Sequence, residues 1–271
     1  MSPDSLFILS LVAKMAVTAL VLVVATFAAE RAGALVGAMI ATLPIAAGPA
    51  YIFLALEHDP DFIAQSALAS LVANAANVTF ALVYAWMAQR RGLLASVLPA
   101  LAAWFLMAWI VRPIPWTTTS AILLNAAVFA VCLTLGNRFR HARLPLARRR
   151  WYDMPLRATM VAVLVGTVVA ISAHVGPTIT GMFAVFPIVL TSLMLILHPR
   201  LGGPATAAVI ANSLLGLVGF SCACLTLHLA AVPLGAPAAL ALALALAVSI
   251  ACNLAFWALR RGSAARAAGK H

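Results

Sequence analysis

Pro44 and Pro187 are the residues of this chain whose setting points most directly to chemistry. They lie in matching phrases, Met39-Ile-Ala41-Thr-Leu-Pro44-Ile45 and Met182-Phe-Ala184-Val-Phe-Pro187-Ile188, 143 residues apart. Each proline falls near the middle of an apolar stretch long enough to cross a bilayer. Inside a helix it removes one backbone donor and clashes with the preceding turn, so the carbonyls of Ile40 and Phe183 lose their helical partners. In hydrocarbon such oxygens must be met by side chains, by water or by a ligand. A site built from broken-helix backbone is the kind many transporters use. Thr42, Gly48 and Pro49 flank the first proline, and Thr178, Thr180, Thr191 and Ser192 the second. The plainer reading is that both prolines only shape helix packing.

Asn74 and Asn77 fall in the middle of one apolar segment, and Asn212 and Ser213 in another. An amide in hydrocarbon needs a partner, and Ala69, Ala73 and Asn77 follow the small-xxx-small spacing that lets helices approach closely. These side chains therefore read either as interhelical glue or as the walls of a site beside the broken helices. Gly33, Gly37 and Ala41 form a similar packing stripe. The candidate substrate-binding set is Thr42, Pro44, Gly48, Asn74, Asn77, Pro187, Thr191, Asn212 and Ser213.

Lys14 and Arg157 are candidate charge-bearing residues. Lys14 lies nine residues beyond Ser5, about 13 Å at a helical rise of ~1.5 Å per residue. It either reaches the interface or attracts an anion inside the membrane. The acids Asp4, Glu30, Glu57, Asp59, Asp61 and Asp153 all fall at helix ends or in loops, as do His174 and His198. No Ser-His-Asp set and no metal-ligand spacing is visible, so neither an enzyme nor a bound cofactor is expected. Glu57-His58-Asp59-Pro60-Asp61 reads as an exposed acidic turn rather than a cation site.

The elements that carry these residues are membrane helices. Of 271 residues, 65% are hydrophobic and 8% charged, with a mean hydropathy of +1.09. Too few polar groups remain to cover a soluble domain. The net charge of +11 suggests nucleic acid until the cations are located. All but Lys14 and Arg112 lie in short loops and a tail assigned to one membrane face, the positive-inside pattern. Arg138, Arg140, Arg143 and Arg148 to Arg150 are expected to meet anionic lipid headgroups. Cys132, Cys222, Cys224 and Cys252 lie in apolar segments and read as small buried hydrophobes.

The periodicity and punctuation predict an all-α fold of nine spans, at about 6–29, 33–56, 62–88, 93–111, 117–136, 156–174, 178–198, 203–229 and 234–259. The first resembles a secretory signal, but its internal counterpart argues for a retained helix. Loop charges put the N-terminus outside and the C-terminus inside, with Arg112 outside.

At the constant offset of 143, Lys14 meets Arg157, Gly33 meets Gly176, and Met39, Ala41, Pro44 and Ile45 meet their twins. Ser70-Leu71 meets Ser213-Leu214, and Ala100-Leu-Ala102 meets Ala243-Leu-Ala245. The expected architecture is one integral domain of two four-helix repeats, about 14–111 and 157–254. Helix 117–136 and a basic loop, 137–155, join them, and a basic tail, 260–271, follows. The odd linking helix inverts the second repeat.

A basic residue thirty positions before a proline, in Lys14 to Pro44 and Arg157 to Pro187, together with Gly181-Met-Phe-Ala-Val-Phe-Pro187, resembles the GlpM-like family. These are small four-helix bacterial inner-membrane proteins of unassigned activity. The resemblance covers about 98 residues per half and is stronger in the second, since Ala38 stands where the second half has Gly181. It implies a bacterial inner-membrane location and a unit that pairs as an antiparallel dimer, here fused in one chain. A monomer and a homodimer of the fused chain both remain open.

The expectation is thus a permease or channel-like transporter, with a path between the second and seventh spans near the midplane. Its substrate would be neutral, anionic or lipid-like. The rival is a non-transporting membrane factor supporting envelope assembly or a partner complex through the basic loop.

Overall fold

The computed structural model describes residues 3–31, 46–140 and 150–268. Thr42 and Pro44 lie outside them. The fold is all-α, with no strand among the described residues. In order the helices are α1 (Pro3–Arg31), α2 (Ala47–Glu57), α3 (Pro60–Met87), α4 (Leu93–Val111), α5 (Thr118–Gly136), α6 (Asp153–Ala184), α7 (Ile188–Leu201), α8 (Gly203–Ala231) and α9 (Ala238–Ala268). Seven of these helices are long and apolar enough to cross a membrane. The two shorter ones are α2 and α7.

Local chemistry marks the ends. Asp59 accepts the Phe62 N–H at 2.7 Å and Pro60 opens α3, satisfying a donor that a helix start leaves bare. Thr117 and Ser120 close a reciprocal cap on α5. Gly202, at φ 82°, reverses the chain between α7 and α8, a conformation that side chains with a Cβ rarely take.

Helix α3 is the centre of the molecule. Of its most apolar window 78% is buried, against 11% for α1, so α3 is shielded by protein and α1 presents Leu6, Phe7, Ile8 and Leu9 outward. Its many alanines allow α4, α5, α6 and α8 to pack around it. One apolar core gathers about its first half, Ile63 to Ala73, and a second about Ala76 to Ala88. Asn74 and Asn77 fall where the two meet.

The ends of the bundle differ in charge. Gly203 abuts the Ala88 carbonyl, Arg138 lies 5.2 Å from the Trp86 ring, and Arg200 bonds Asp153. One end therefore collects Arg90, Arg91, Arg138, Arg150 and Arg200. The other carries Glu57, His58, Asp59, Asp61, Arg112 and His228, tied by His58 to Ser172 and His228 to Thr118.

The boundary predicted between 156–174 and 178–198 is visible inside α6, where Gly176 leaves helical geometry at φ 75° and ψ 174° and two helices meet across it. A second interruption follows at Val185, Phe186 and Pro187, after which α7 begins. Gly176 absorbs the reversal without a loop because it lacks a Cβ.

Candidate functional site

The broken segment is fastened to α3 by a row of side-chain donors. Ser66 donates to the Pro177 carbonyl at 3.1 Å, Ser70 to Gly181 at 2.6 Å, and Asn77 to Val185 at 2.9 Å. The three acceptors are four residues apart, one helical turn each, so they line one face of 177–185. Contact this close requires Gly181, since a Cβ there would run into the Ser66 carbonyl.

At the break the backbone satisfies part of itself. Phe183 accepts the Phe186 N–H at 3.0 Å, and Phe186 accepts Ile188 at 2.6 Å. The carbonyl that needs a side chain is Val185, not Phe183 as helix geometry alone implied, because a tight final turn recaptures Phe183. Thr180, Thr191 and Ser192 do not help either. They bond back to Gly176, Pro187 and Val189 within their own helices. The donor comes from α3.

Asn77 is one member of a buried amide network. Its Nδ2 also reaches Asn74 Oδ1 at 3.3 Å, and its Oδ1 accepts Trp104 Nε1 at 2.7 Å. Asn74 Nδ2 donates to the Leu217 carbonyl and to Ser221 Oγ, both at 2.8 Å. Ser221 donates to Asn125 Oδ1 at 3.1 Å, and Asn125 Nδ2 bonds the carbonyls of Leu71 and Ala121. Both amide hydrogens of each asparagine are used, and α3, α4, α5, α8 and the break are joined in one layer. Burying these groups is tolerable only because the set is closed. Trp104 also stacks its edge toward Phe186, with ring centroids 4.9 Å apart.

The remaining candidates are scattered. Pro187 and Thr191 are buried at the start of α7. Gly48 is half-buried on α2, and a Cβ there would meet nothing within 4 Å. Asn212 bonds the Arg140 carbonyl at 3.3 Å and Ser213 bonds Ile210, so both belong to the basic end rather than the amide layer.

Lys14 bonds Glu57 at the end of α2. Arg157 is half-buried one turn after Asp153 on α6, and Asp153 accepts two Arg200 nitrogens, one at 2.7 Å. Tyr152 takes bonds from Arg200 and Arg150 that hold its phenol below the usual tyrosine range. Among the described residues, no three His, Cys, Asp or Glu side chains converge as a metal ion would need.

Sequence reasoning missed Asn125, Trp104, Ser221 and Ser66. Asn125 carried a signal, being an amide alone in an apolar span. Ser66, Ser70, Asn74 and Asn77 also follow helical spacing along one face. Trp104 and Ser221 carried none, because their role depends on which helices meet. No protein-family model, curated protein or solved structure matches the chain.

Proposed function

We propose that the chain is a membrane transporter or permease built from two inverted four-helix repeats, with its site at the level of the broken helices. The carrying observation is the interruption at Val185 to Pro187, lodged where Asn74 and Asn77 separate two apolar cores. Irregular backbone at such depth is tolerated in protein-lined surroundings and is the usual material of transporter sites. Nine spans follow when α2 and α7 are taken as the distal halves of the second and seventh.

Several facts support the repeat. α3 and α8 start at Pro60 and Gly203, 143 residues apart. Asn74 donates to the carbonyl of Leu217 across that same separation of 143, so the central helix touches its own counterpart as elements beside a twofold axis do. The collection of arginines at one end supports a cytoplasmic assignment for it, with anionic headgroups as its partners. A bacterial inner membrane and kinship with GlpM-like units belong to the same reading.

The amide layer supplies neutral donors and acceptors, which suits a neutral, anionic or lipid-like substrate better than a bare cation. In the closed arrangement Asn77 occupies the Val185 carbonyl. Opening requires that amide to exchange its partner for water or substrate.

A non-transporting membrane factor is the second reading. It is favoured by the completeness of the layer, since each asparagine is satisfied by protein and Gly181 is packed hard on Ser66. Cysteine accessibility separates the two. T42C and V185C are introduced singly after replacing Cys132, Cys222, Cys224 and Cys252, and treated with a membrane-impermeant maleimide from either face. A transporter exposes at least one of them to water. Resistance at both positions from both sides would sink the transport reading.

A further inference from the structure

Helix α4 ends in a way that the amide layer and the repeat do not explain. Pro113 cannot continue the helix, and Trp116 Nε1 bonds the Val111 carbonyl at 2.8 Å, covering one of the bare oxygens. Beside this stop Trp109, Ile110, Arg112 and Pro113 line a broad, open depression on the surface of the helix end. Three of these residues are apolar, and the fourth carries a guanidinium. Arg112 is exposed, and its side chain has no hydrogen-bond or ion-pair partner among the described residues. The arginine therefore presents an unspent charge at the rim of an apolar depression.

The outward face of α4 leads into that depression. Leu98, Phe105 and Trp109 are 60%, 48% and 72% exposed and share one helical face by their spacing. On a membrane-crossing helix such a face meets acyl chains, and an exposed tryptophan near its end marks the headgroup level. The end in question is opposite the arginine-rich one, so the charge here is not part of the general basic surface.

We propose that this end of α4 holds an anionic phospholipid of the bilayer. The phosphate lies on Arg112, and an acyl chain runs past Trp109 and Ile110 along the Phe105 face. A free phosphate is the weaker occupant: one guanidinium with apolar walls leaves most of its oxygens without donors. The lipid uses both halves of the site. The inference does not rest on transport and holds for either functional reading.

The test uses the full chain in phosphatidylcholine nanodiscs containing a few per cent of phosphatidylglycerol with a photoreactive acyl chain. After irradiation the labelled peptides are mapped. Labelling is expected over the peptide containing Phe105 to Trp116, and R112Q should reduce it about fivefold, the weight of one cation near an anionic headgroup. R112K should retain it, and R91Q, at the opposite end, should leave it unchanged. A thermal unfolding curve for R112Q that matches wild type keeps loss of lipid distinct from loss of fold. The proposal is overturned by equal labelling in R112Q, by equal labelling with photoreactive phosphatidylcholine, or by displacement with millimolar inorganic phosphate.

Discussion

Replacing Asn77 tests the amide layer most directly. N77A removes the donor to Val185 and the acceptor for Trp104, at 2.9 and 2.7 Å, and these two residues are 5% and 1% exposed. A buried polar group stranded in this way costs about 1–3 kcal/mol, while interhelical hydrogen bonds in membranes average only ~0.6 kcal/mol. Two stranded groups at a helix break bracket the loss at roughly 1–6 kcal/mol, and about 2–4 kcal/mol is expected because neither has another side-chain donor or acceptor recorded nearby. N77D sharpens the test. Ionised, its carboxylate keeps the Trp104 bond but turns lone pairs toward the Val185 and Asn74 oxygens, so it should be less stable than N77A at pH 7. Protonated, its O–H replaces the lost donor. The stability of N77D should therefore recover as the pH is lowered and its carboxylate takes up a proton. Unfolding by dodecyl sulfate in mixed micelles, followed by circular dichroism, measures both variants. If N77A lies within ~0.5 kcal/mol of wild type, Val185 does not depend on Asn77 and the account of the break fails.

Two glycines should respond oppositely to alanine. G181A drives a methyl into the Ser66 carbonyl and should cost about 1–3 kcal/mol or more as overpacking forces the half-helix off α3. G48A meets nothing within 4 Å and should be neutral or stabilising by up to ~1 kcal/mol through helix propensity; the same unfolding assay checks the pair. The Lys14–Glu57 bond predicts that K14E and E57K each weaken the protein and that the double exchange restores much of the loss. With these side chains 18% and 36% exposed, solvent screening holds each single effect to about 1 kcal/mol. A double variant no better than its worse parent would mean that the charges do not act as a pair.

The helices were legible because membrane spans are written in long apolar runs with short punctuation, and Asp59-Pro60, Thr117 and Gly202 mark their starts and stops in residue chemistry alone. The break at Pro187 was legible for the same reason. Its donor was not. Threonines and serines near the proline in sequence point back into their own turns, whereas Asn77 reaches Val185 from more than a hundred residues away, and only helix packing decides that. The ion pairs were hidden by a different limit. The offset of 143 takes Glu57 to Arg200, so comparison by residue likeness passes over the position. Yet both residues sit at the far end of a short helix that follows a proline, and both bond to a preceding long helix, Glu57 to Lys14 on α1 and Arg200 to Asp153 on α6. Under the proposed repeat these are bonds between corresponding elements, with the polarity exchanged.

That exchange bears on where movement is possible. If each short helix is pinned at its far end by an ion pair, its remaining freedom is at the proline end, beside the break. In the second half that end meets α3 through Asn77, a neutral hydrogen bond whose exchange for water or substrate separates no charges. Parting Arg200 from Asp153, whose side chains are 13% and 11% exposed, would leave a nearly buried charge unpaired. Movement of α7 is thereby directed to its proline end, at the level of the asparagines. Of the three bonds from α3, Asn77 to Val185 is the one made at the break itself, so it is the contact through which altered packing of α3 would reach the broken backbone most directly.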